Sequence, residues 1–238
     1  MFKFLKRKKQ NSPETRHLIT QEDPKSPLAE AYRTIRTSMH YATADDNAKI
    51  FMFTSAGPGE GKSTTIANVA VTFAQAGTKT LLIDCDLRKP VQHKIFHISN
   101  SKGLTNLLVD KRPLTEVLTL TPNDNLQVLP SGPIPPNPSE LLGSRAMQNL
   151  LASLKENYDL ILIDAPPTIA VTDAPVLAGA VDGIVLILLS KAVKTDLALE
   201  AKARLEQANG KIIGAILNGL EMSSQDYSYY YYYGEKES

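Results

Sequence analysis

Residues 50–64 read Ile50-Phe51-Met52-Phe53-Thr54 and then Ser55-Ala56-Gly57-Pro58-Gly59-Glu60-Gly61-Lys62-Ser63-Thr64. No other stretch constrains the fold as much. An apolar run of this length, bounded by glycines, predicts a strand covered on both faces. Gly57, Gly59 and Gly61 let the backbone turn tightly and aim its N–H groups inward, and the helix expected over about 62–76 adds the positive end of its dipole. A loop of this kind cradles phosphate. Lys62 supplies a point charge for the β- and γ-phosphates, Ser63 offers a hydroxyl to Mg²⁺, and Glu60 and Thr64 complete the nucleotide-binding set. Ala56 stands where the usual pattern begins with Gly.

Two further apolar runs end in acid. Leu81-Leu82-Ile83 leads into Asp84-Cys85-Asp86, and Leu160-Ile161-Leu162-Ile163 leads into Asp164. Asp84 and Asp86 lie two apart, so an extended chain puts both carboxylates on one side. Beside a phosphate loop, one carboxylate can hold metal while another takes the proton of an attacking hydroxyl. On this reading Asp84 is the proton acceptor, and Asp86 and Asp164 stand on the metal side with Ser63. Arg88 and Lys89 follow, within reach of phosphate or substrate but with no assigned role.

Strands at Ile50–Thr54, Thr80–Asp84, Leu126–Leu129, Leu160–Asp164, Gly183–Leu189 and Lys211–Leu217 alternate with helices over about 27–44, 62–76, 138–156 and 195–208. Residues 87–122 read as short helices and loops, and the prolines of 130–138 mark a surface crossing. The alternation predicts an α/β fold, a mostly parallel central sheet flanked by helices on both faces, with ligands at the carboxyl ends of the strands. With 238 residues, 42% of them apolar, one domain over residues 26–220 is expected, between a basic flexible tail over 1–25 and a flexible tail over 221–238.

The tails differ in charge. Residues 1–16 carry Lys3, Lys6, Arg7, Lys8, Lys9 and Arg16 against Glu14, while residues 221–238 carry Glu221, Asp226, Glu235 and Glu237 against Lys236. The basic start has no apolar run that would make a leader, and no stretch approaches the length of a membrane span, so a soluble, cytoplasmic protein is expected. The single cysteine, Cys85, is expected in the core of a protein from a reducing compartment. His17, His40, His93 and His97 show no ligand spacing. Six of the nine tyrosines, Tyr227, Tyr229, Tyr230, Tyr231, Tyr232 and Tyr233, crowd the acidic tail. Its negative charge argues against nucleic acid as a partner.

The stretches at 55–64, 81–88 (Leu-Leu-Ile-Asp-Cys-Asp-Leu-Arg) and 160–167 (Leu-Ile-Leu-Ile-Asp-Ala-Pro-Pro), with the tyrosine tail, resemble the Walker A, Walker A′ and Walker B motifs and acceptor cluster of the bacterial tyrosine kinases, cytoplasmic components of polysaccharide synthesis and export systems. The resemblance implies a P-loop NTPase architecture of the ParA/MinD kind. It implies autophosphorylation in trans on the cluster with ATP and Mg²⁺, inside a ring-shaped homo-oligomer, with other tyrosine proteins as possible substrates. It also implies a membrane-bound activator or adaptor that recruits the kinase to the inner face of the membrane, in the two-protein arrangement of Gram-positive bacteria. Glu30, Arg33 and Arg36 resemble the family's subunit contact, and Asn218 its adenine-reading position. The alternative is a ParA/MinD-type switch ATPase without kinase activity; the signature lysine of that group is replaced here by Gly57.

Overall fold

The computed structural model describes residues 17–42 and 47–220. The N-terminal basic run, residues 43–46 and the tyrosine cluster lie outside the described residues.

In chain order the elements are α1 (Ile19–Glu22), α2 (Pro27–Ala42), β1 (Ile50–Ser55), α3 (Lys62–Gln75), β2 (Thr80–Asp84), α4 (Gln92–Ile95), α5 (Leu104–Val109), a 3₁₀ turn (Leu114–Glu116), β3 (Thr119–Leu120) and β4 (Leu126–Leu129). They continue with α6 (Pro138–Leu142), α7 (Arg145–Leu154), β5 (Leu160–Asp164), α8 (Asp173–Ala178), β6 (Gly183–Leu189), α9 (Thr195–Gln207) and β7 (Ile212–Asn218). The strands form one sheet in the order β3-β4-β2-β5-β1-β6-β7, parallel except for β3, which runs against β4. The mostly parallel α/β architecture expected from the sequence is the one observed.

The strands read as unbroken apolar runs because the sheet has a core on each side. Ile50 and Met52 of β1 join Leu81, Ile83, Ile161 and Ile163 beneath α7, α8 and α9. Phe51 and Phe53 join Leu82, Leu160 and Leu162 beneath α2 and α3. Successive residues of a strand point to opposite faces, so each strand feeds both cores. At roughly 1.5–3 kcal/mol for each large apolar side chain fully buried, these two layers are the main favourable term in folding.

Register places the chemistry. Asp84 of β2 pairs with Asp164 of β5, and Phe53 of β1 pairs with Asp164 on its other side. Parallel strands in register end together, so both carboxylates and the loop after β1 emerge along one edge.

Three differences from the sequence reading have physical causes. The boundary drawn at residue 25 falls too late, because residues 18–21 pack on the domain. Leu18 is buried in the core under α2 and α3. Thr20 gives its backbone N–H (3.1 Å) and its hydroxyl (2.9 Å) to Asn68 Oδ1, and Asn68 returns its amide to the His17 carbonyl at 3.1 Å. A partner nearly fifty residues away leaves no local signal. The helix expected over 138–156 is broken at Gly143, and Ser144 restarts it as an N-cap accepting from the Met147 N–H at 3.2 Å. The two-residue strand β3 and the six-residue helix α8 are too short to show a period.

At the opposite end of β1, Asp182 ties the sheet to α7. It accepts the N–H groups of Lys49 (2.8 Å) and Ile50 (2.9 Å) and the Lys155 ammonium (2.7 Å). Burial opposes the carboxylate, but the Lys155 hydrogen bond and the two backbone bonds outweigh it and hold Asp182 below its ordinary value. Its contribution is therefore complete above about pH 4, the unfolded value, and is lost as pH falls through the lower folded value. Asp182→Ala is predicted to cost about 1–3 kcal/mol at neutral pH and to flatten the acid limb of stability against pH, read by urea unfolding from pH 3 to pH 7.

Candidate active site

The loop after β1 closes on itself. Gly59 (φ 80°) and Gly61 (φ 85°) hold left-handed conformations, and Gly61 caps α3, whose first residue is Lys62. A side chain at Gly61 would meet the Asn218 amide: an ideal Cβ falls 2.1 Å from its Nδ2. The loop is braced from the far strands. Asn218, the last residue of β7, donates to the Glu60 carbonyl at 3.0 Å, and the buried Glu60 carboxylate accepts the Leu189 N–H of β6 at 3.3 Å. Glu60 also accepts the Gly57 N–H, so this donor is turned inward instead of toward a phosphate. Burial raises the Glu60 carboxyl above its ordinary value, with the two backbone bonds opposing the rise.

Lys62 lies at the centre. Its ammonium is 3.0 Å from Asp86 Oδ2, 3.2 Å from Asp164 Oδ1 and 3.1 Å from Ser63 Oγ. Burial works against its charge, yet Asp164 and Asp86 outweigh that and raise the ammonium above its ordinary value. The four predicted groups Lys62, Ser63, Asp86 and Asp164 thus meet at one point. A cleft of about 350 Å³ opens over them, lined by the loop from Pro58 to Thr64, Asp86, Lys89, Val91 and Pro167.

Asp84 is placed differently from its expected role. Its side chain is fully buried, with Oδ2 accepting the N–H groups of Val91 (3.0 Å) and Gln92 (2.9 Å) and Oδ1 that of Asp86 (3.2 Å). It does not line the cleft. Burial, reinforced by the neighbouring Asp164 carboxylate, pushes it up to about 7 against the pull of the Gln92 N–H and Lys62. The carboxylate facing the cleft from this motif is Asp86. Arg88 turns away to make a double contact with the buried Asp173 (2.9 and 3.0 Å) and to donate to Ser139 at 3.1 Å. Cys85, between Asp84 and Asp86 just past the end of β2, lies fully buried in the core, as expected.

Gln92 escaped the sequence reading. Fully buried, it gives its amide to Asp164 Oδ2 at 2.8 Å and to the Ser63 carbonyl at 3.1 Å, fixing both relative to Lys62. No motif spacing announces it, because its partners lie 29 and 72 residues away. Asn218 touches the phosphate loop as a brace and is absent from the cleft lining. Glu30 and Arg33 pair at 2.7 Å on the exposed side of α2, while Arg36 reaches the Thr72 carbonyl of α3 at 2.9 Å.

The donor set suits a hard cation. A hydroxyl and two carboxylates converge around one positive group, and the Oε1 of buried Gln92 has no partner among the described residues. No cluster of three or more His, Cys, Asp or Glu side chains that could hold a metal occurs among the described residues. Mg²⁺ needs none, since it is held by one or two carboxylates, waters and substrate phosphates.

Residues 48–194 match the family model of the AAA domain. Over 98% of its length the chain is 45% identical to tyrosine-protein kinase YwqD of Bacillus subtilis, of which it covers 97%. The chain belongs to the bacterial tyrosine-protein kinases. The kinase domain of Escherichia coli tyrosine kinase ETK superposes with a TM-score of 0.83 at 35% identity, over 92% of this kinase and 87% of that domain. The septum site-determining protein MinD of Pyrococcus horikoshii, solved with Mg-ADP, aligns with a TM-score of 0.63 at 25% identity over 75% and 73% of the two chains. The kinase therefore has the P-loop nucleotide-binding fold common to both groups.

The two acids of the Walker A′ motif are predicted to fail differently. Asp84→Ala strips an acceptor from three backbone N–H groups and should cost about 2–3 kcal/mol. Asp86→Asn removes one of the two charges that compensate the buried Lys62 ammonium, so it should also lower stability, by about 1–3 kcal/mol, and in addition abolish phosphotransfer by the chains that remain folded. Thermal melts and a phosphotyrosine assay on both variants check this.

Proposed function

We propose that this kinase transfers the γ-phosphoryl group of ATP to the C-terminal tyrosines, Tyr227, Tyr229, Tyr230, Tyr231, Tyr232 and Tyr233, of another copy of itself. The observation that supports the chemistry most directly is the meeting of Lys62, Ser63, Asp86 and Asp164 at the mouth of α3. Lys62 and the N–H groups of the loop would hold the phosphates, and Ser63 and Asp164, fixed by Gln92, would hold Mg²⁺. The metal supplies charge stabilisation to the transferring group. A tyrosine hydroxyl attacks the γ-phosphorus, the bond to the β-phosphate oxygen breaks, ADP leaves, and the phenolic proton passes to a carboxylate. Asp86 is assigned that proton because it faces the cleft. Asp84, read from the sequence as the acceptor, is assigned to hold the Asp86–Gln92 segment in place.

The same reading places the kinase on the cytoplasmic side of the membrane in a polysaccharide-synthesis system, activated by a membrane protein and assembled into a ring through Glu30, Arg33 and Arg36. No helix among the described residues is long and apolar enough to cross a membrane. The Glu30–Arg33 pair is exposed on α2, while Arg36 would have to release the Thr72 carbonyl to take part. The tail already carries a net charge of −3 (four acids less one base), and each phosphotyrosine adds about −1.5 to −2. The unphosphorylated kinase should therefore assemble and the heavily phosphorylated form dissociate, read as mass by light scattering.

The decisive experiment incubates wild type, Lys62→Met and a mixture of Lys62→Met with a six-fold Tyr→Phe variant, each with Mg-ATP and the cytoplasmic tail of a candidate activator. Phosphate is then mapped by mass spectrometry. Phosphate on 227–233 is expected in wild type and, in the mixture, on the Lys62→Met chain; Lys62→Met alone should carry none. ATP hydrolysis without phosphotyrosine, despite a bound activator, would support the switch-ATPase alternative.

A further inference from the structure

Lys89 is the charged side chain of the cleft that the chemistry above leaves without work. Lys62 is matched by Asp86 and Asp164, and Glu60 is turned onto the backbone of Gly57 and Leu189. Lys89 lines the same cleft, is exposed, and forms no ion pair with any described residue. Its backbone is held firmly. The Lys89 N–H donates to Asp86 Oδ1 at 3.0 Å, Arg88 before it is clamped to Asp173, and Val91 and Gln92 after it are clamped to Asp84. A rigid stretch thus presents one flexible, uncompensated ammonium at the rim.

The order along this wall gives that ammonium a neighbour. Lys62 and Asp86 are buried, Asp86 holds Lys62 with one oxygen and the Lys89 backbone with the other, and Lys89 stands outside them. A phenol delivered to Asp86 therefore brings its flanking residues past Lys89. The acceptor tail has acids in the right places: Asp226 immediately precedes Tyr227, and Glu235 and Glu237 follow Tyr233. We infer that Lys89 is a specificity-determining residue that selects tyrosines flanked by carboxylates, by pairing with the acids of the incoming tail and not with the nucleotide. This rests on the tail being the acceptor, as proposed above.

The test uses full-length chains, with the cytoplasmic tail of the activator bound throughout. The enzyme is the six-fold Tyr→Phe variant, alone or with Lys89→Gln or Lys89→Arg. The acceptor is the Lys62→Met chain, alone or with Asp226→Asn, Glu235→Gln and Glu237→Gln. Apparent KM is measured separately for acceptor and for ATP. Pairing at an exposed site predicts that Lys89→Gln raises the acceptor KM about threefold to fivefold, that Lys89→Arg restores it, and that the ATP KM does not move. Neutralising the acceptor acids should raise the KM of the Lys89 enzyme by the same factor and that of Lys89→Gln no further. A raised ATP KM with the acceptor KM unmoved would assign Lys89 to the nucleotide and overturn the inference. So would two effects that multiply, because the groups would then act independently. If the enzyme that retains Lys89 hydrolyses ATP and labels neither acceptor, the tail-acceptor reading itself fails and the inference goes with it. That result is told apart from the others by the absence of any transfer to compare.

Discussion

The register of three parallel strands is the constraint on which the rest of this kinase depends. Asp84 on β2 lies beside Asp164 on β5, and β1 runs alongside β5 to launch the phosphate loop from the same edge. A slip of one residue in any of these strands would send its acid or its loop to the other face, and would also exchange the residues that feed the two cores. The apolar alternation that fills both cores therefore also fixes the geometry of the site. Stability and catalysis draw on the same pairing.

Three carboxylates gathered at one strand edge repel one another, and the structure answers this with a different device for each. Asp164 is bound by Lys62 on one oxygen and Gln92 on the other. Asp86 faces Lys62 and the solvent side of the cleft. Asp84, buried against Asp164, is satisfied by three backbone N–H groups. An ammonium buried at 9% exposure is tolerated only because two acids surround it. Removing one member leaves the others under-compensated, so these residues act as a unit and single substitutions will not add.

Much of this was legible in the sequence, and what was not has a common cause. The loop from Gly57 to Thr64 and the acids at 84, 86 and 164 were readable because strand, turn and helix are local events with local signatures. The long strands were readable because burial on both faces leaves unbroken apolar runs. Gln92, the Glu60 brace to Leu189, the Asn218 brace to Glu60 and the Thr20–Asn68 contact were not, since each joins residues distant in sequence through polar side chains that have no period. The roles of Asp84 and Asp86 were indistinguishable by spacing alone. They separate only when α4 begins at Gln92 and supplies backbone donors that Asp84 alone can reach.

In the proposed function, carboxylates at the strand edge, led by Asp164, hold the metal through which nucleotide is gripped. The direct test is calorimetric titration of a non-hydrolysable ATP analogue, with and without Mg²⁺, into wild type and Asp164→Asn. Mg²⁺ should tighten binding to wild type by about tenfold or more, with little effect on the variant. A variant whose affinity responds to Mg²⁺ as fully as wild type would contradict the assignment.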